Sequence, residues 1–582
     1  MNKNYVVYHI HSMLSNGITN VDSITDFHAY VDKAKECGMT AMAFSEHASL
    51  FAWLKKKEYI ESCGMKYIHA IEAYLTENIA AKERDNYHVV LIAKNYDGVR
   101  ELNKLISKSF NREDGHFYYV PRITFDELYS TSDNILVTTA CLGGVLHNGT
   151  PNAREQMLNF LRLNKHRVYL EIQHHNCAEQ IEYNNLLFTL SKQIEVPLIA
   201  GTDTHALNET HMSGRAMLQK AKGVRFENED EWDLKFKSYS ELVAAYEKQK
   251  SLPMDVVLEA IENTNRMAAI IEPFTVDYSA KYPKLYDDSE SVFKQKINEG
   301  VIRRGIMEYP NYKEYVDRIH YEYDTYKHNN AIDFMLLEED YKSEMRRRNI
   351  KFGYSRGSVS GSVIAYLLGI TEVDSVKLKL NFERFMNVER VSLADVDTDW
   401  LSEDRKVVKD YLYTKRGLYC CDIVTFNTIA MKGAVNDICR AFFYDNLDHL
   451  PDTIKSKIAA FKKANDGNIS DISFPKELVK EIEKHSVHKE VPYDYNAFSR
   501  DVNDMIDINE QEARQKYPDI FKYVDLVNGC VVSVGNHPAG CVVSPFPVDE
   551  WFGTFTTSTD EYPVSMLNMK EIDALNFVKL NI

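Results

Sequence analysis

The sequence predicts an α/β protein of several domains, the first of which is a (β/α) barrel. Residues 1 to about 210 repeat one pattern, in which a short apolar strand ends at a polar or ionisable residue and a stretch of helical periodicity follows. About seven such units occur, and 582 residues exceed what a single hydrophobic core normally holds. The strands are predicted at residues 5–11, 40–45, 67–74, 88–93, 135–139, 168–173 and 196–201.

The elements beyond residue 210 differ from the barrel in composition. The segment that follows is rich in Glu and Lys and is predicted to form connecting helices. Further along, a glycine-serine loop precedes a short apolar helix, an acidic strand, a long helical region and a final β-rich piece. These elements are predicted at residues 211 to about 330, 356–362, 363–368, 391–400, about 428–530 and 530–582.

Composition excludes several classes of protein. Apolar residues make up 44% of the chain, no apolar run is long enough to span a bilayer, and the N-terminus lacks the layout of a signal peptide. We therefore expect a soluble, cytoplasmic protein, neither disordered nor fibrous, with no membrane partner. Nine cysteines without a C-x-x-C pair give little support to structural zinc or to disulfides.

The charge distribution leaves a nucleic-acid partner open. The net charge of −17 argues weakly against one, although phosphate binding depends on local Lys and Arg rather than on the total. Between Lys342 and Arg356, six basic residues accompany a single acid, Glu344. A solvated helix face explains this run about as well as a contact with nucleic acid does.

Histidines and acids at the ends of the predicted strands indicate a metal cluster. His9 and His11 lie two positions apart, so both imidazoles point the same way on a strand, as shared metal ligation requires. A parallel barrel gathers the C-terminal ends of its strands on one rim. Each histidine alone is more simply a hydrogen-bonded core or surface residue. Together they predict two or three ions of zinc, manganese or iron that hydrolyse a phosphate ester. The further candidates are Glu46, His47, Glu72, His88, Cys141, Asp203 and His205.

A second constellation combines the glycine-serine loop with alternating aspartates. The loop offers small residues and free amides before a helix, which suits a polyphosphate, although a plain turn fits equally well. Asp395, Asp397 and Asp399 share one face on a strand and favour a divalent cation. An EF-hand is excluded because Trp400 and Lys406 stand where it needs Gly and Glu. A solvated acidic strand remains an alternative to a nucleotidyl transfer site.

Five short segments, HIHS, SEH, IEAY, ACLGG and GTDTH, resemble the polymerase and histidinol phosphatase (PHP) domain over roughly residues 4–210. The resemblance implies a (β/α)7-like barrel with phosphoesterase activity and a cluster of Zn²⁺ or of Mn²⁺ or Fe²⁺. The family usually has Asp where this chain has Asn16, whose amide carries no charge, so the occupancy of one metal stays open. The ligands implied by position are His9, His11, Asn16, His47, Glu72, His88, Cys141, Asp203 and His205.

Later segments resemble the C-family of replicative polymerases, the bacterial DNA polymerase III alpha subunits. They are residues 355–371, 383–392 with the acidic strand, 423–435 and 535–545, in the family's order. The resemblance implies a polymerase-beta-like nucleotidyltransferase palm with a helical thumb, acting on a DNA primer-template and dNTPs with Mg²⁺. It divides the chain into a PHP domain (1–210), a helical connector (211–280), a first palm part (281–427), a thumb (428–530) and a palm return (531–582).

The same resemblance implies roles for single residues. Asp395 and Asp397 hold the two magnesium ions, and Asp399 supports the strand without binding the ions directly. Asn581 stands at the position of the family's third catalytic aspartate, which predicts weakened metal binding and slow or absent synthesis. Nucleotide contacts are implied for Arg356, Gly357, Ser358, Gly361, Ser362, Arg384 and Lys579, and DNA contacts for Lys432, Arg440 and His537.

The chain stops one residue after Asn581, before the fingers and the clamp-binding region expected of the family. A split polymerase whose second polypeptide carries the fingers and reaches a sliding clamp, a longer protein cut at this point, and a compact viral relative without synthesis all fit. The leading hypothesis is the N-terminal portion of a replicative DNA polymerase, in a bacterium or a phage-infected cell, with 3′–5′ exonuclease activity in the PHP domain. The alternatives are a phosphoesterase or nuclease with an inactive polymerase remnant, and a silent DNA-binding subunit of a replisome.

Overall fold

The barrel is the first part of the computed structural model, which describes residues 4–226, 229–389, 396–464 and 474–582. Its main sheet runs in the order β1-β2-β3-β7-β8-β9, with β6 beside β2, and β4 pairs with β5 as a separate hairpin. The strands are β1 (Ala41–Phe44), β2 (Lys66–Thr76), β3 (Tyr87–Ala93), β4 (Phe117–Tyr118), β5 (Val120–Pro121), β6 (Ile123–Thr124), β7 (Ile135–Thr138), β8 (Val168–Ile172) and β9 (Leu198–Ala200).

The first predicted strand, residues 5–11, makes single bridges instead of a continuous ladder. Val7 pairs with Met42 on β1 and Ile10 with Thr204 after β9, so this segment closes the sheet into a barrel. The ladder is interrupted because the Ile10 amide donates to the hydroxyl of Ser45 rather than to a backbone carbonyl. The other six predicted barrel strands are confirmed, with ends that differ by one or two residues.

The barrel is mixed rather than all parallel, which corrects the expectation from the βα pattern. β3 runs antiparallel to β2 and to β7, whereas β1-β2, β7-β8 and β8-β9 are parallel. A strand of opposite direction brings its N-terminal end to the rim where its neighbours end. His88 lies at the start of β3 and therefore reaches the same rim as the residues that end the other strands.

Helices cover the outside of the barrel. α1 begins after Asp26, whose side chain accepts a hydrogen bond from the His28 amide, and it buries Phe27, Tyr30 and Val31. The helices of this part are α1 (Phe27–Glu36), α2 (Trp53–Ser62), α3 (Tyr96–Ser109), α4 (Phe125–Tyr129), α5 (Val145–Asn148), α6 (Pro151–Leu163), α7 (Ala178–Ile194), α8 (Glu209–Lys222), α9 (Tyr239–Gln249) and α10 (Met254–Ala269).

A second sheet lies between the barrel and a layer of helices. It has five strands in the order β12-β13-β10-β11-β14. Its side chains alternate between two cores, since Cys421 and Val542 pack with the barrel core whereas Cys420, Cys541 and Val543 pack with the helices. The strands are β10 (Tyr419–Thr428), β11 (Val531–Ser544), β12 (Thr554–Phe555), β13 (Val564–Asn568) and β14 (Val578–Asn581).

The remaining helices form two groups and two short links. The first five cover the second sheet, and the next five occupy the region predicted to be helical from about residue 428 to 530. Within the described ranges, no helix is long and apolar enough to cross a membrane. The helices are α11 (Ser289–Arg303), α12 (Tyr312–His328), α13 (Ile332–Arg347), α14 (Val363–Leu368), α15 (Arg405–Thr414), α16 (Met431–Asp448), α17 (Asp452–Ala464), α18 (Lys476–His485), α19 (Tyr495–Lys516), α20 (Pro518–Val527), α21 (Val548–Phe552) and α22 (Met569–Ala574).

The predicted acidic strand does not appear as a continuous strand in the part of the chain that is described. From Val396 onward it makes isolated bridges, in which Asp397 pairs with Arg356 and with Asn581, and Trp400 pairs with Phe352. Each neighbouring segment therefore pairs with this one at a single residue rather than along a continuous ladder of backbone hydrogen bonds. The segment nevertheless lies beside β14, because Asn581 is the last residue of that strand.

The barrel and the second sheet share one hydrophobic core. The ring of Phe51, before α2, makes edge contacts with Phe426 of β10 at 5.8 Å and with Phe555 of β12 at 5.1 Å. Next to it, the indole Nε1 of Trp53 donates to the carbonyl of Phe552 at 3.1 Å. Because these contacts are buried, we infer that the two sheets unfold together rather than as independent units.

Replacing Phe51 tests this shared core. Phe51→Ala is expected to lower the free energy of unfolding by about 3–5 kcal/mol, since the ring is fully buried and leaves a cavity. Urea denaturation followed by circular dichroism measures the change. The control Leu163→Ala, at a side chain that is 73% exposed, is expected to stay within about 0.5 kcal/mol. Equal effects of the two substitutions contradict a shared core at Phe51.

Candidate functional sites

The carboxylate of Glu72 lies at the centre of the cluster on the barrel rim. Its oxygens are 3.5 Å from His9 Nε2, 3.3 Å from His11 Nε2, 3.0 Å from His47 Nδ1 and 2.7 Å from His88 Nδ1. Glu72 is fully buried, and His9 and His11 are too. An unpaired carboxylate is costly at such a depth, so the position requires positive charge nearby.

Asp203 and Cys141 complete the rim. Asp203 Oδ1 lies 3.3 Å from both His9 Nε2 and His11 Nε2 and 3.1 Å from His205 Nε2. Cys141 Sγ lies 3.3 Å from His88 Nδ1. Among the described residues, three sets each place their ligand atoms within 4.8 Å of one another: His11, His47 and His205; His9, His11 and Glu72; and Glu72, His88 and Cys141.

Several buried polar atoms of the cluster make no hydrogen bond. They are His9 Nε2, His11 Nε2, His47 Nδ1 and Glu72 Oε2. Buried polar atoms are normally paired, and atoms that converge without partners are typical of a cation site. Burial opposes ionisation of Glu72, but His88, His47 and His9 outweigh it and hold its pKa well below the usual range. Imidazole, carboxylate and thiolate groups are the ligand types that zinc, manganese and iron take, so the residues present fit such ions.

Asn16 is not brought to this cluster. Its Oδ1 accepts from the amides of Asp22 and Ser23 at 2.7 and 3.1 Å, and its Nδ2 donates to the carbonyls of Ser23 and Val531, both at 2.7 Å. The side-chain amide of Asn16 therefore makes these four hydrogen bonds with backbone groups. The expectation that Asn16 stands among the metal ligands is corrected by these contacts, because an oxygen that accepts two amide protons does not also face the imidazoles.

Two carboxylates that the sequence did not single out contact the cluster. Glu171 on β8 accepts from His9 Nδ1 at 2.5 Å and from Tyr8 and Thr138 hydroxyls, which leaves His9 Nε2 for an ion. Asp22 lies in the loop before α1 and contacts two imidazoles. The place of Glu171 on a barrel strand was a usable signal, whereas the sequence offers none for Asp22.

The glycine-serine loop ends at a helix whose N-terminus is already occupied. Glu322 on α12 accepts from the amides of Val363 and Ile364 at 2.9 and 3.0 Å, and from the hydroxyl of Ser362 at 2.7 Å. Ser362 is fully buried, and a Cβ on Gly361 would lie 2.4 Å from a backbone oxygen. The structure therefore corrects the predicted phosphate contact of Ser362, since the carboxylate of Glu322 takes the place of an anion at this helix, and the contact of Gly361 stays a prediction.

The first half of the loop stays open beside the aspartates. Asp397, Asp399, Arg356 and Asn581 line one cavity of about 320 Å³. Asn581 Nδ2 donates to Asp397 Oδ1 at 2.7 Å, and Arg356 pairs with Asp399 at 2.9 Å. Gly357, at φ +76°, adopts a conformation that favours glycine and brings its backbone close to Asp397. Two carboxylates, one amide and one guanidinium thus face the same space.

Models of two known protein families match this chain, in the order that the sequence predicted. A family model described as the bacterial DNA polymerase III alpha NTPase domain matches residues 291–582, half of the chain. The chain belongs to the bacterial DNA polymerase III alpha family. The PHP domain model matches residues 8–175, which include the first two candidate ligands, His9 and His11. The cavity with Asp397 and Asp399 is therefore in the polymerase part, and the candidate metal ligands up to Cys141 are in the part that the PHP model matches, whereas Asp203 and His205 follow it.

Relatives in the DNA polymerase III alpha family cover the same parts. DNA polymerase III subunit alpha of Borreliella burgdorferi is 31% identical in an alignment of 457 positions that covers 75% of this chain and 38% of that protein. The subunit of Aquifex aeolicus is 28% identical in an alignment of 624 positions that covers 100% of this chain and 51% of that protein. That of Helicobacter pylori strain J99 is 27% identical, with 84% and 43% covered. The chain spans about half the length of these relatives, or less.

The other polymerase residues predicted from the resemblance lie apart or outside the described ranges. Asp395 lies outside the described residues. Arg384 is exposed on a 3₁₀ turn, and Lys579 on β14 pairs with Asp573 at 3.1 Å. Asp399, which the resemblance placed outside the metal site, lines the same cavity as Asp397. Among the described residues of the acidic segment, Asp397 and Asp399 line this cavity together.

The predicted DNA contacts are spread over two elements. Lys432 and Arg440 lie on α16, where Lys432 pairs with Asp507 at 2.6 Å. His537 lies on β11, and its Nδ1 accepts from the Gly540 amide at 2.9 Å, which leaves Nε2 as the donor. Gly540 is the register partner of Asn581, so His537 is on the strand beside the polymerase cavity.

Proton release on metal loading tests Cys141 as a ligand. Burial, Asp203 and Glu72 raise the pKa of its thiol well above the usual value, so the metal-free thiol is neutral, whereas a ligand must be a thiolate. Apparent metal affinity is therefore expected to increase with pH. Titration calorimetry in buffers of different ionisation enthalpy should show that Cys141→Ser releases about one proton fewer per chain. Cys37→Ser is the control, and an unchanged proton count in Cys141→Ser contradicts the role.

Proposed function

We propose that this chain supplies the palm of a DNA polymerase that extends a primer on a DNA template with dNTPs. The observation that carries the proposal is the cavity on which Asp397, Asp399, Asn581 and Arg356 converge, in a chain of the DNA polymerase III alpha family. Paired carboxylates beside a basic group are the parts that two-metal nucleotidyl transfer needs. Asp397 and Asp399 hold Mg²⁺ in this proposal, with Asp395 as a third acid of the same segment.

The residues around the cavity have different roles in this proposal, according to their charge. When bound, Mg²⁺ lowers the pKa of the primer 3′ hydroxyl and neutralises charge on the leaving pyrophosphate. The side chain of Arg356 is 63% exposed and, among the described residues, forms its ion pair with Asp399, so in this proposal it turns to a phosphate. Gly357 and Ser358 bring backbone amides to the same edge, and Lys579 adds positive charge on β14.

Asn581 weakens this site relative to one with a third carboxylate. Its amide satisfies Asp397 by a hydrogen bond without adding negative charge. A divalent ion is therefore attracted by fewer charges, and synthesis by this chain is proposed to be slow.

A second activity is proposed for the PHP cluster, namely removal of 3′ nucleotides from DNA. The supporting observation is a cavity of about 380 Å³ that reaches the cluster at His47, His88, Cys141, Asp203 and His205. Its wall also includes the aromatic rings Tyr74, Phe226 and Trp232, which offer stacking surfaces for a base.

One primer assay tests both activities, because substitutions at the two sites are expected to abolish extension and shortening separately. Asp397→Asn is expected to abolish extension and to leave shortening of the primer intact, and His9→Ala is expected to do the reverse, because the two sites use different ions. Gel analysis with Mg²⁺, Mn²⁺ or Zn²⁺ measures both products. Glu403→Gln, at an exposed carboxylate shortly after the acidic segment, is the control for extension.

The assay also separates the alternatives. Turnover of a small phosphomonoester with no action on DNA favours a phosphoesterase carrying an inactive polymerase part. Binding of primer-template with neither extension nor shortening favours a silent DNA-binding subunit.

Replacing Asn581 with aspartate tests metal binding at the polymerase cavity without a measurement of catalytic activity. Asn581→Asp is expected to tighten Mn²⁺ binding about tenfold, from about 1–2 kcal/mol of added attraction at a partly exposed site. Titration of free Mn²⁺ by electron paramagnetic resonance measures the difference from the parent protein. Asn185→Asp, an exposed asparagine on α7, is the control. An unchanged affinity in Asn581→Asp argues against ion binding at this cavity.

The partners proposed for the polymerase follow from its relatives. The relatives extend beyond the part that matches this chain. We propose that a second polypeptide takes the place of this extra length, carries the fingers and reaches a sliding clamp. Copurification with a polypeptide that restores full extension supports it, and full extension by the chain alone contradicts it.

A further inference from the structure

Glu46 and Lys56 form a buried ion pair close to the candidate metal cluster. Lys56 Nζ lies 2.6 Å from Glu46 Oε1, and the two side chains are 3% and 1% exposed. Glu46 directly precedes His47, yet within the described part of the chain its carboxylate pairs with Lys56 rather than with an imidazole. A buried ion pair adds little stability over apolar residues of the same size, so this pair calls for another explanation.

Three further hydrogen bonds end on the carboxylate of Glu46. The Ser12 amide donates at 2.9 Å, and the hydroxyls of Ser12 and Ser15 both donate at 2.5 Å. The ammonium of Lys56 favours the ionised form of Glu46, and an ionised carboxylate only accepts hydrogen bonds. A hydroxyl carries one proton, and Ser15 has already used its proton on Glu46. The oxygen of Ser15 therefore offers only lone pairs to its other neighbours.

One of these neighbours is the ring of His11. Ser15 Oγ lies 3.4 Å from His11 Nδ1, and it also accepts from the His47 amide at 3.2 Å. Because this oxygen can only accept, the neutral ring carries its proton on Nδ1 and leaves Nε2 unprotonated. Among the described residues, Nε2 has no hydrogen-bond partner, and it lies 3.3 Å from oxygens of Glu72 and Asp203. An unprotonated Nε2 beside two carboxylates is an arrangement that suits a cation.

We propose that Glu46 is a positioning residue, which acts through the hydroxyl of Ser15 to fix His11 in the tautomer that turns an unprotonated Nε2 to an ion. Lys56 supplies the buried positive charge that keeps Glu46 an acceptor. The proposal rests on the PHP metal cluster proposed above and names a control on one of its imidazoles. It explains why a buried carboxylate follows the second predicted strand without contacting the imidazoles itself.

Glu46→Gln is expected to reverse this chain of hydrogen bonds. The amide oxygen has to face the ammonium of Lys56, so the NH2 group faces Ser15 and donates to it. The hydroxyl of Ser15 then gives its proton to His11 Nδ1, and the ring keeps its own proton on Nε2, where an ion has to displace it. The apparent affinity of the full chain for Zn²⁺ is expected to decrease about 10–100-fold, as measured by competition with a chromophoric chelator. An unchanged affinity overturns the proposal.

Two comparisons separate this role from a defect in packing. Glu61→Gln removes the carboxylate partner of Lys57 on the same helix and, as the control, is expected to leave the affinity unchanged. Lys56→Met, added to Glu46→Gln, is expected to restore most of the affinity, because the amide oxygen then turns back to the serine donors. A packing defect would instead worsen with the second substitution, so a lack of recovery overturns the role of Lys56.

Ser15→Ala tests the route from Glu46 to the cluster, and it carries the test if Glu46→Gln does not fold. The substitution removes the acceptor of His11 Nδ1, so the affinity for Zn²⁺ is expected to decrease about tenfold. Glu46→Gln is then expected to have no further effect on the affinity, since its influence passes through Ser15. A second loss of similar size in the double variant overturns this route.

Nitrogen NMR of the metal-free chain, with labelled histidine and at slightly basic pH, reads the tautomer directly. The signals of His11, assigned by comparison with His11→Gln, are expected to show a protonated Nδ1 and an unprotonated Nε2, and Glu46→Gln is expected to exchange the two. A protonated Nε2 in the parent overturns the inference. A parent protein that binds no Zn²⁺ contradicts the PHP cluster itself, whereas normal binding that none of these variants changes contradicts this inference alone.

Discussion

Glu72, a carboxylate without access to solvent and in contact with four imidazoles, sets the constraint under which the barrel rim is built. Burying an acid is costly unless positive charge compensates it, and imidazoles provide that charge only when they are protonated. His11 does not provide it, because burial and the neighbouring His47 and His205 lower its pKa to about 4. Nearby carboxylates outweigh burial at His9 and His205, and they raise the pKa of His9 well above its usual value and that of His205 to about 9. Divalent cations would satisfy Glu72, Asp203 and the unpaired imidazole nitrogens together, so the electrostatics of the rim suit metal binding.

The direction of β3 makes this arrangement possible. In an all-parallel barrel, His88 at the start of its strand would lie at the opposite end from Glu72 and Cys141. Because β3 runs antiparallel to both neighbours, His88 lies 2.7 Å from Glu72. The closing segment with His9 and His11 completes the rim through single bridges, where hydroxyls replace part of the ladder.

The second sheet links the two sites mechanically. One of its faces packs on the barrel core, and its β11 accepts the side chain of Asn16. The opposite end of the same sheet carries Asn581 beside Asp397. Around that cavity the polar groups already have partners within the protein. Asn581 donates to Asp397, Arg356 pairs with Asp399, and Glu322 accepts from the first two amides of α14. In the function proposed above, a nucleotide and its metal ions would have to displace the Arg356 contact, whereas the Glu322 contact is buried and would stay.

The sequence by itself determined the kind of protein and most of the ligand chemistry. Period-two histidines at 9 and 11, ionisable residues at strand ends and the spacing of the βα units predicted a metal-binding barrel, and the glycine-serine loop with alternating aspartates predicted a second site. These signals are local, since residue type and short spacing carry them. The approximate positions of six barrel strands and of α14 followed from the same patterns.

Only the tertiary structure decided which oxygens and amides face the sites. Asn16 and Asp22 are close in sequence, but the packing of one loop on β11 turns the first to the backbone and the second to the imidazoles. Ser362 and Gly361 belong to a phosphate-like loop, yet Glu322, which lies 40 residues before Ser362, takes their helix end. Such contacts join residues far apart in the chain, and local pattern holds no information about them.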